Sequence, residues 1–336
     1  MRRRADQANG FLSIFDEKTG FYYRSGVMEQ GRDTGREPFM AKFPELIEVE
    51  IMGCRPWERN GRSFMHGEQC RQEELPGKRF HMAVEDFASI AEQSRGRAYQ
   101  FILGGRGEAY LHEHFGEILK ICVGNEIVPN VEVSGFGITK ETAALCGKYC
   151  GAAGVKWHGN SYALKAIRMF QEAGVRTNIH FTLAKQTIQE AIDRLERVDF
   201  PQGINAVIFL THKSAGQEEG GFSFEDERVR RFFALAEGQK YPFKLGFDPC
   251  GVQGLLRLAR NIDFNCGAAC EGARWSAYIT YDMKMAPCCR GCAEEGRCVD
   301  LRVHSIQEAW DSGEFWAFRD FLKSVSLDCA YRNPFS

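Results

Sequence analysis

The chain has 336 residues, 43 Lys+Arg against 45 Asp+Glu, 44% hydrophobic residues and 26% charged residues, so it can bury a large core and is balanced in charge. These figures exclude a miniature scaffold, a polybasic nucleic-acid surface and a disordered chain. No stretch approaches the roughly 20 apolar residues of a membrane span. Met1-Arg2-Arg3-Arg4 runs into polar residues rather than an apolar signal core. A cytoplasmic protein with no membrane or nucleic-acid partner is expected.

Residues 1–45 read as a loop-rich lead-in with interleaved Phe, Tyr and Gly. A strand–helix alternation then begins. Strands are predicted at Ile47–Met52, Tyr99–Leu103, Val128–Val133, Ala152–Trp157, Arg176–Leu183 and Asn205–Leu210. Helices are predicted at Ala83–Gln93, His112–Val123, Thr139–Tyr149, Ser161–Ala173 and Thr187–Arg197. In the last of these, Thr187-Ile-Gln-Glu190 has the capping-box pattern, and Ile188, Ala191, Ile192 and Leu195 share one face. Strands returning through helices imply a parallel sheet, because each return is a right-handed crossover. The pattern leaves open whether that sheet is flat or curls into a barrel; in both, ligands gather at the carboxyl ends of the strands. The cadence stops near Lys240, giving expected divisions of 1–45, 46–240 and 241–336. In the last, Ser276–Thr280 and Met283–Ala286 flank Tyr281-Asp282 as a hairpin, Ser305-Ile-Gln-Glu308 is a second capping box, and Phe315, Phe318 and Leu322 line a final helix.

The thirteen cysteines carry the strongest chemical signal, since a core of this size needs no disulfides and a reducing compartment disfavours them. Cys250, Cys266, Cys270, Cys288, Cys289, Cys292, Cys298 and Cys329 fall in the tail. So many soft ligands suit zinc or an iron-sulfur cluster, and spacing does not separate the two; buried thiols acting as small hydrophobes are the alternative. Cys54 and Cys70 belong to the loop after the first strand, where free thiols and metal ligands are equally consistent with the pattern. Gly104-Gly105-Arg106-Gly107-Glu108 follows the second strand. Exposed amides there suit an anionic group and Glu108 suits an ammonium, although a plain turn with a solvated glutamate has the same sequence.

Taken together these residues resemble the radical S-adenosylmethionine enzymes that carry a SPASM or twitch-type C-terminal extension. Gly104, Gly105, Gly107 and Glu108 are similar to that family's Gly-Gly-Glu-Pro motif, with the glutamate displaced and the proline missing. The segment Pro129–Gly135, ending in Ser134 and Gly135, resembles its third-strand cofactor segment. Cys270–Cys288 resembles the hairpin that introduces an auxiliary cluster, and Asp300–Arg319 the helix after it. The resemblance implies an α/β partial (β/α)6 TIM-like barrel with a small cysteine-rich C-terminal domain. It also implies a 4Fe-4S cluster, S-adenosylmethionine, an auxiliary iron-sulfur cluster, an electron donor, and a peptide or protein substrate. The family's Cys-x3-Cys-x2-Cys is represented here by Cys54 and Cys70 alone. On a stretched-loop alignment Ser63 takes the middle position, with His66 or Glu73 as other candidates. A serine alkoxide or carboxylate holds iron less well than a thiolate. A degenerate scaffold that binds a peptide or partner and keeps a structural metal is the alternative.

Overall fold

The computed structural model describes residues 1–53, 81–105, 107–157, 159–211, 225–249, 251–258, 270–289 and 298–324. All six expected strands are present and pair in parallel: β6 (Leu46–Val49), β7 (Gln100–Leu103), β8 (Val128–Val133), β9 (Ala152–Lys156), β10 (Thr177–Leu183) and β11 (Ala206–Thr211). A seventh parallel strand, β12 (Lys244–Phe247), pairs with β11 in the register Ala206↔Lys244. The connecting helices are α1 (Val84–Ser94), α2 (Phe115–Gly124), α3 (Lys140–Tyr149), α4 (Ser161–Glu172), α5 (Ile188–Arg197) and α6 (Glu227–Gly238), with α7 (Val252–Leu258) after β12. The strands therefore form an α/β partial barrel.

Side-chain alternation separates the two faces of this sheet. Phe101 meets Phe87 of α1 edge-on, with centroids 6.0 Å apart, and Phe209 meets Phe232 of α6 at 4.8 Å. Phe181 packs on Phe209 on that same helix-covered side. Removing such rings from water contributes roughly 1.5–3 kcal/mol each. The intervening residues, including Glu48, Asn130, Glu132, Lys156 and His180, are only partly buried and face the opposite side, the lumen. A face of polar, part-solvated side chains in an otherwise buried parallel sheet is a place to hold a ligand.

The expected loop-rich lead-in is instead largely β-structure. Strands β1 (Arg2–Asp6), β2 (Phe11–Phe15) and β3 (Tyr22–Arg24) form an antiparallel sheet, and β4 (Met28–Glu29) pairs with β5 (Arg32–Asp33). The β1–β2 turn is closed by Asp6, which accepts from the backbone and side-chain nitrogens of Asn9, and by Gly10 at φ +67°. The sequence hid these strands because β1 is mostly arginine and all three are short. The sheet docks on the amino ends of the barrel strands: Ser13 Oγ donates to Glu45 at 2.8 Å and lies 2.9 Å from the Tyr99 hydroxyl, Tyr22 donates to Glu45, and Arg4 stacks on Tyr99. The amino ends of β6 and β7 are thereby covered.

Beyond β12, the tail continues the same sheet. Strand β13 (Ser276–Ile279) pairs in parallel with β6, in the register Tyr278↔Glu48. Strand β14 (Lys284–Ala286) closes the expected hairpin, and β15 (Val299–Asp300) adds outside it. Helices α8 (Ile306–Trp310) and α9 (Gly313–Ser324) follow, with the Ser305–Glu308 capping box formed and Phe315, Phe318 and Leu322 buried. The other expected capping box does not form. Thr187 Oγ1 donates to the Thr182 carbonyl at 2.7 Å, while Glu190 accepts from Trp157 and Arg194. The face of α5 predicted to be apolar is buried nonetheless. Among the described residues no helix is long and apolar enough to cross a membrane.

Candidate functional site

The loops after β6, β7 and β8 meet at the carboxyl end of the sheet. Gly107 N–H donates to Met52 O at 2.9 Å, joining the first two loops. Glu108 is fully buried, and both its carboxylate oxygens accept from Ser134 N–H, at 3.0 and 3.3 Å, joining the second and third. Gly104, Gly105, Gly107, Glu108, Ser134 and Gly135 thus lie on loops that these bonds join.

The glycines serve packing within the chain. A Cβ at Gly107 would lie 2.3 Å from Met52 O, and one at Gly105, where φ is +93°, would lie 2.9 Å from the Tyr278 hydroxyl and 3.0 Å from the Glu50 side chain. One at Gly104 would meet the Glu132 side chain at 3.2 Å. Gly135 sits at φ +89° against the start of α4. Tyr278 comes from the tail hairpin and donates its hydroxyl to the buried Glu50. Burial, followed by the charges of Glu50 and Glu48, pushes this phenol well above its ordinary value and keeps it a donor. The tail therefore contributes a side chain beside the glycine turn, a role that spacing alone did not indicate.

Next to the turn, on the lumen face, lies a trio of charged and polar groups. Glu132 on β8 accepts from His180 Nδ1 of β10 at 3.0 Å and pairs with Lys156 Nζ of β9 at 3.2 Å. Burial would push the Glu132 carboxyl up, but Lys156 and then His180 outweigh it and hold the group well below the usual carboxylate range. Sequence reasoning quoted Glu132 only within a motif and missed Lys156 and His180. Their signal was polar residues at alternate positions in otherwise apolar strands.

His112 and His114 follow Glu108 in the chain. Burial lowers the pKa of His112, and its Nδ1 accepts from His114 N–H at 3.1 Å, so Nε2 carries the proton and donates to Met82 O at 2.8 Å. His81 packs edge-on against His112, centroids 5.2 Å apart. Its Nδ1 is buried without a hydrogen-bond partner among the described residues. His81 bridges Met52, and Cys54 follows Met52 by two residues in sequence.

Cys54, Ser63 and Cys70 lie outside the described residues, as do His66, Glu73, Cys250, Cys266, Cys292 and Cys329. Cys270, Cys288, Cys289 and Cys298 are described and flank the tail strands. Gly272 abuts the Pro287 carbonyl, and Val299 pairs with Met285, so Cys270, Cys288 and Cys298 each lie within a few residues of the β14 end. Among the described residues no group of three or more His, Cys, Asp or Glu side chains is arranged to hold a metal ion.

No family model and no curated protein sequence matches this chain. Solved structures do. SuiB of Streptococcus suis bound to S-adenosylmethionine superposes with a TM-score of 0.62 at 13% identity, over 84% of this chain and 69% of that one. The native anSMEcpe structure with bound AdoMet and Cp18Cys peptide gives 0.56 at 13% identity, over 84% of each chain. SuiB bound to its precursor peptide SuiA gives 0.62, again at 13% identity, over 84% of this chain and 68% of that one. At such identity the similarity establishes the fold: this chain has the α/β partial barrel that those proteins have.

Proposed function

We propose that the protein is a radical S-adenosylmethionine enzyme acting on a peptide or protein, with its cofactor site at the carboxyl end of the barrel. The observation that carries this reading is the junction of three strand-end loops through Gly107, Glu108 and Ser134, beside a lumen lined with polar side chains. The motif resemblance and the barrel shared with proteins solved with S-adenosylmethionine and with peptides support it.

The described residues fit the implied groups. Among the described residues Glu48, Glu50, Glu108 and Glu132 outnumber Lys156 around the lumen and the turn, which suits a cofactor carrying ammonium and sulfonium charges. His81 Nδ1, buried and without a hydrogen-bond partner among the described residues, lies beside Met52, two residues before Cys54 in the sequence. In this reading Cys54 and Cys70 hold a 4Fe-4S cluster, with Ser63 or a non-protein ligand at the third position, and Glu108 receives the cofactor's amino group. When bound, the cluster and S-adenosylmethionine supply a carbon radical that removes a hydrogen atom from substrate. The chain's own contribution is to orient the cofactor through Glu108 and the glycine turn, and to shield the lumen from water by the helix-covered wall. The tail cysteines hold an auxiliary iron-sulfur cluster in the same reading.

Anaerobic reconstitution with iron and sulfide tests the ligand assignment. Cys54→Ala and Cys70→Ala are each expected to lower bound iron. Ser63→Cys is expected to raise it, because a thiolate is the softer ligand. Iron content that none of the three variants alters would remove this loop from the cluster site. Folded protein that binds neither iron nor S-adenosylmethionine would favour the partner-binding scaffold.

A further inference from the structure

Glu132 and His180 lie on strands that are not adjacent, since β9 runs between β8 and β10. Strands two apart are separated by about 9–10 Å. Contact across that gap requires the middle strand to offer no side chain, and it offers Gly154, the register partner of Glu132. A Cβ at Gly154 would lie 2.3 Å from His180 Nε2 and 2.4 Å from its Cε1, so the imidazole rests on bare backbone.

His180 Nδ1 faces the Glu132 carboxylate, which Lys156 pairs from its other oxygen. The carboxylate accepts, so Nδ1 carries the proton and Nε2 keeps the lone pair. Nε2 makes no hydrogen bond to any described residue, and the side chain is 16% exposed on the lumen face. Among register neighbours Ile208 on β11 is uncharged, and among the described residues Glu132 and its partner Lys156 are the charged groups beside the ring.

We propose that His180 is the proton acceptor of the lumen, with Nε2 placed to take a proton from an O–H, S–H or N–H group of the bound substrate. The step balances: the X–H bond breaks, its electron pair stays on X, and the proton joins Nε2 to give an imidazolium that Glu132 stabilises. No redox partner is needed. The inference rests on the reading that substrate enters this lumen, and it narrows the substrate class to molecules with an ionisable hydrogen near the reacting carbon.

Diethyl pyrocarbonate, which acylates an unprotonated imidazole nitrogen, is the probe. The reconstituted full chain is treated at about pH 7 and mapped by peptide mass spectrometry. His180 is expected to be labelled at Nε2. Glu132→Ala is expected to lower the labelling of His180 several-fold relative to His114, because the ring loses the carboxylate that holds it in place. Gly154→Ala is expected to displace the ring and lower the labelling several-fold. The proposal is overturned if His180 stays unlabelled while the exposed His114 and His304 react. It is also overturned if the labelling of His180 relative to His114 is the same in wild type and Glu132→Ala. Cluster content measured in the same samples separates the outcomes: no cluster with normal labelling removes the radical reading alone, and a cluster with unlabelled His180 removes this inference alone.

Discussion

Gly107→Ala is expected to destabilise the protein by about 3 kcal/mol, the upper end of what overpacking costs. The added methyl would sit 2.3 Å from Met52 O and 2.5 Å from Met52 Cβ. Backbone on both sides cannot rotate away as a side chain does. Relief requires the Gly107–Met52 hydrogen bond to open, which separates the loops after β6 and β7 and moves Glu108 relative to Ser134. Gly124→Ala is the control: nothing lies within 4 Å of a Cβ there, and alanine at the end of α2 is expected to be neutral or to stabilise by up to about 1 kcal/mol. Urea unfolding followed by circular dichroism reads both. Equal midpoints for the two variants would contradict the packing role given to Gly107.

The second large effect is expected in the tail. Arg319 on α9 is fully buried, donating Nε to Ala273 O and Nη1 to Trp310 O, both at 2.7 Å, with its guanidinium 4.6 Å from the Trp310 ring centre. Burial brings its pKa down to about 10, still far enough above neutrality to leave it charged. Its two hydrogen bonds tie α9 to the end of α8 and to the turn before β13, the strand that joins the barrel. Arg319→Ala strands two buried carbonyls and leaves a cavity, and is expected to cost about 3–4 kcal/mol. Arg319→Lys keeps the charge but lacks the planar fork that reaches both carbonyls, so it is expected to recover only part of the loss. A loss below about 0.5 kcal/mol for the alanine variant would show that the carbonyls find other partners.

The barrel was legible because its strands alternate or run apolar over four to seven residues and its helices carry one buried face, as in α5. The amino-terminal sheet was not, because Arg2-Arg3-Arg4 carries no apolar alternation; its strand character comes from pairing with Phe11–Phe15 and docking on Glu45 and Tyr99. Thr187 shows the same limit at shorter range. Its capping pattern is present, but the hydroxyl is drawn to Thr182 O and the glutamate to Trp157. The strand-end placement of Gly104, Gly105, Gly107, Glu108, Ser134 and Gly135 was legible because each follows a predicted strand. Glu132, Lys156 and His180 come from three different strands, and Glu132 and His180 meet across β9 only because residue 154 is glycine, a coincidence no local pattern encodes. Tyr278 was hidden for a similar reason, since a tail residue becomes a neighbour of Glu50 only once β13 pairs with β6.

The most direct test of the proposed activity is 5'-deoxyadenosine formation by the anaerobically reconstituted full chain given S-adenosylmethionine and a strong reductant. The expected result is 5'-deoxyadenosine accumulating with time, lowered at least about tenfold in Glu108→Ala, a loss of about 1.4 kcal/mol of cofactor-orienting interaction. Folded, cluster-loaded protein that yields no 5'-deoxyadenosine above a protein-free control would contradict the enzyme reading.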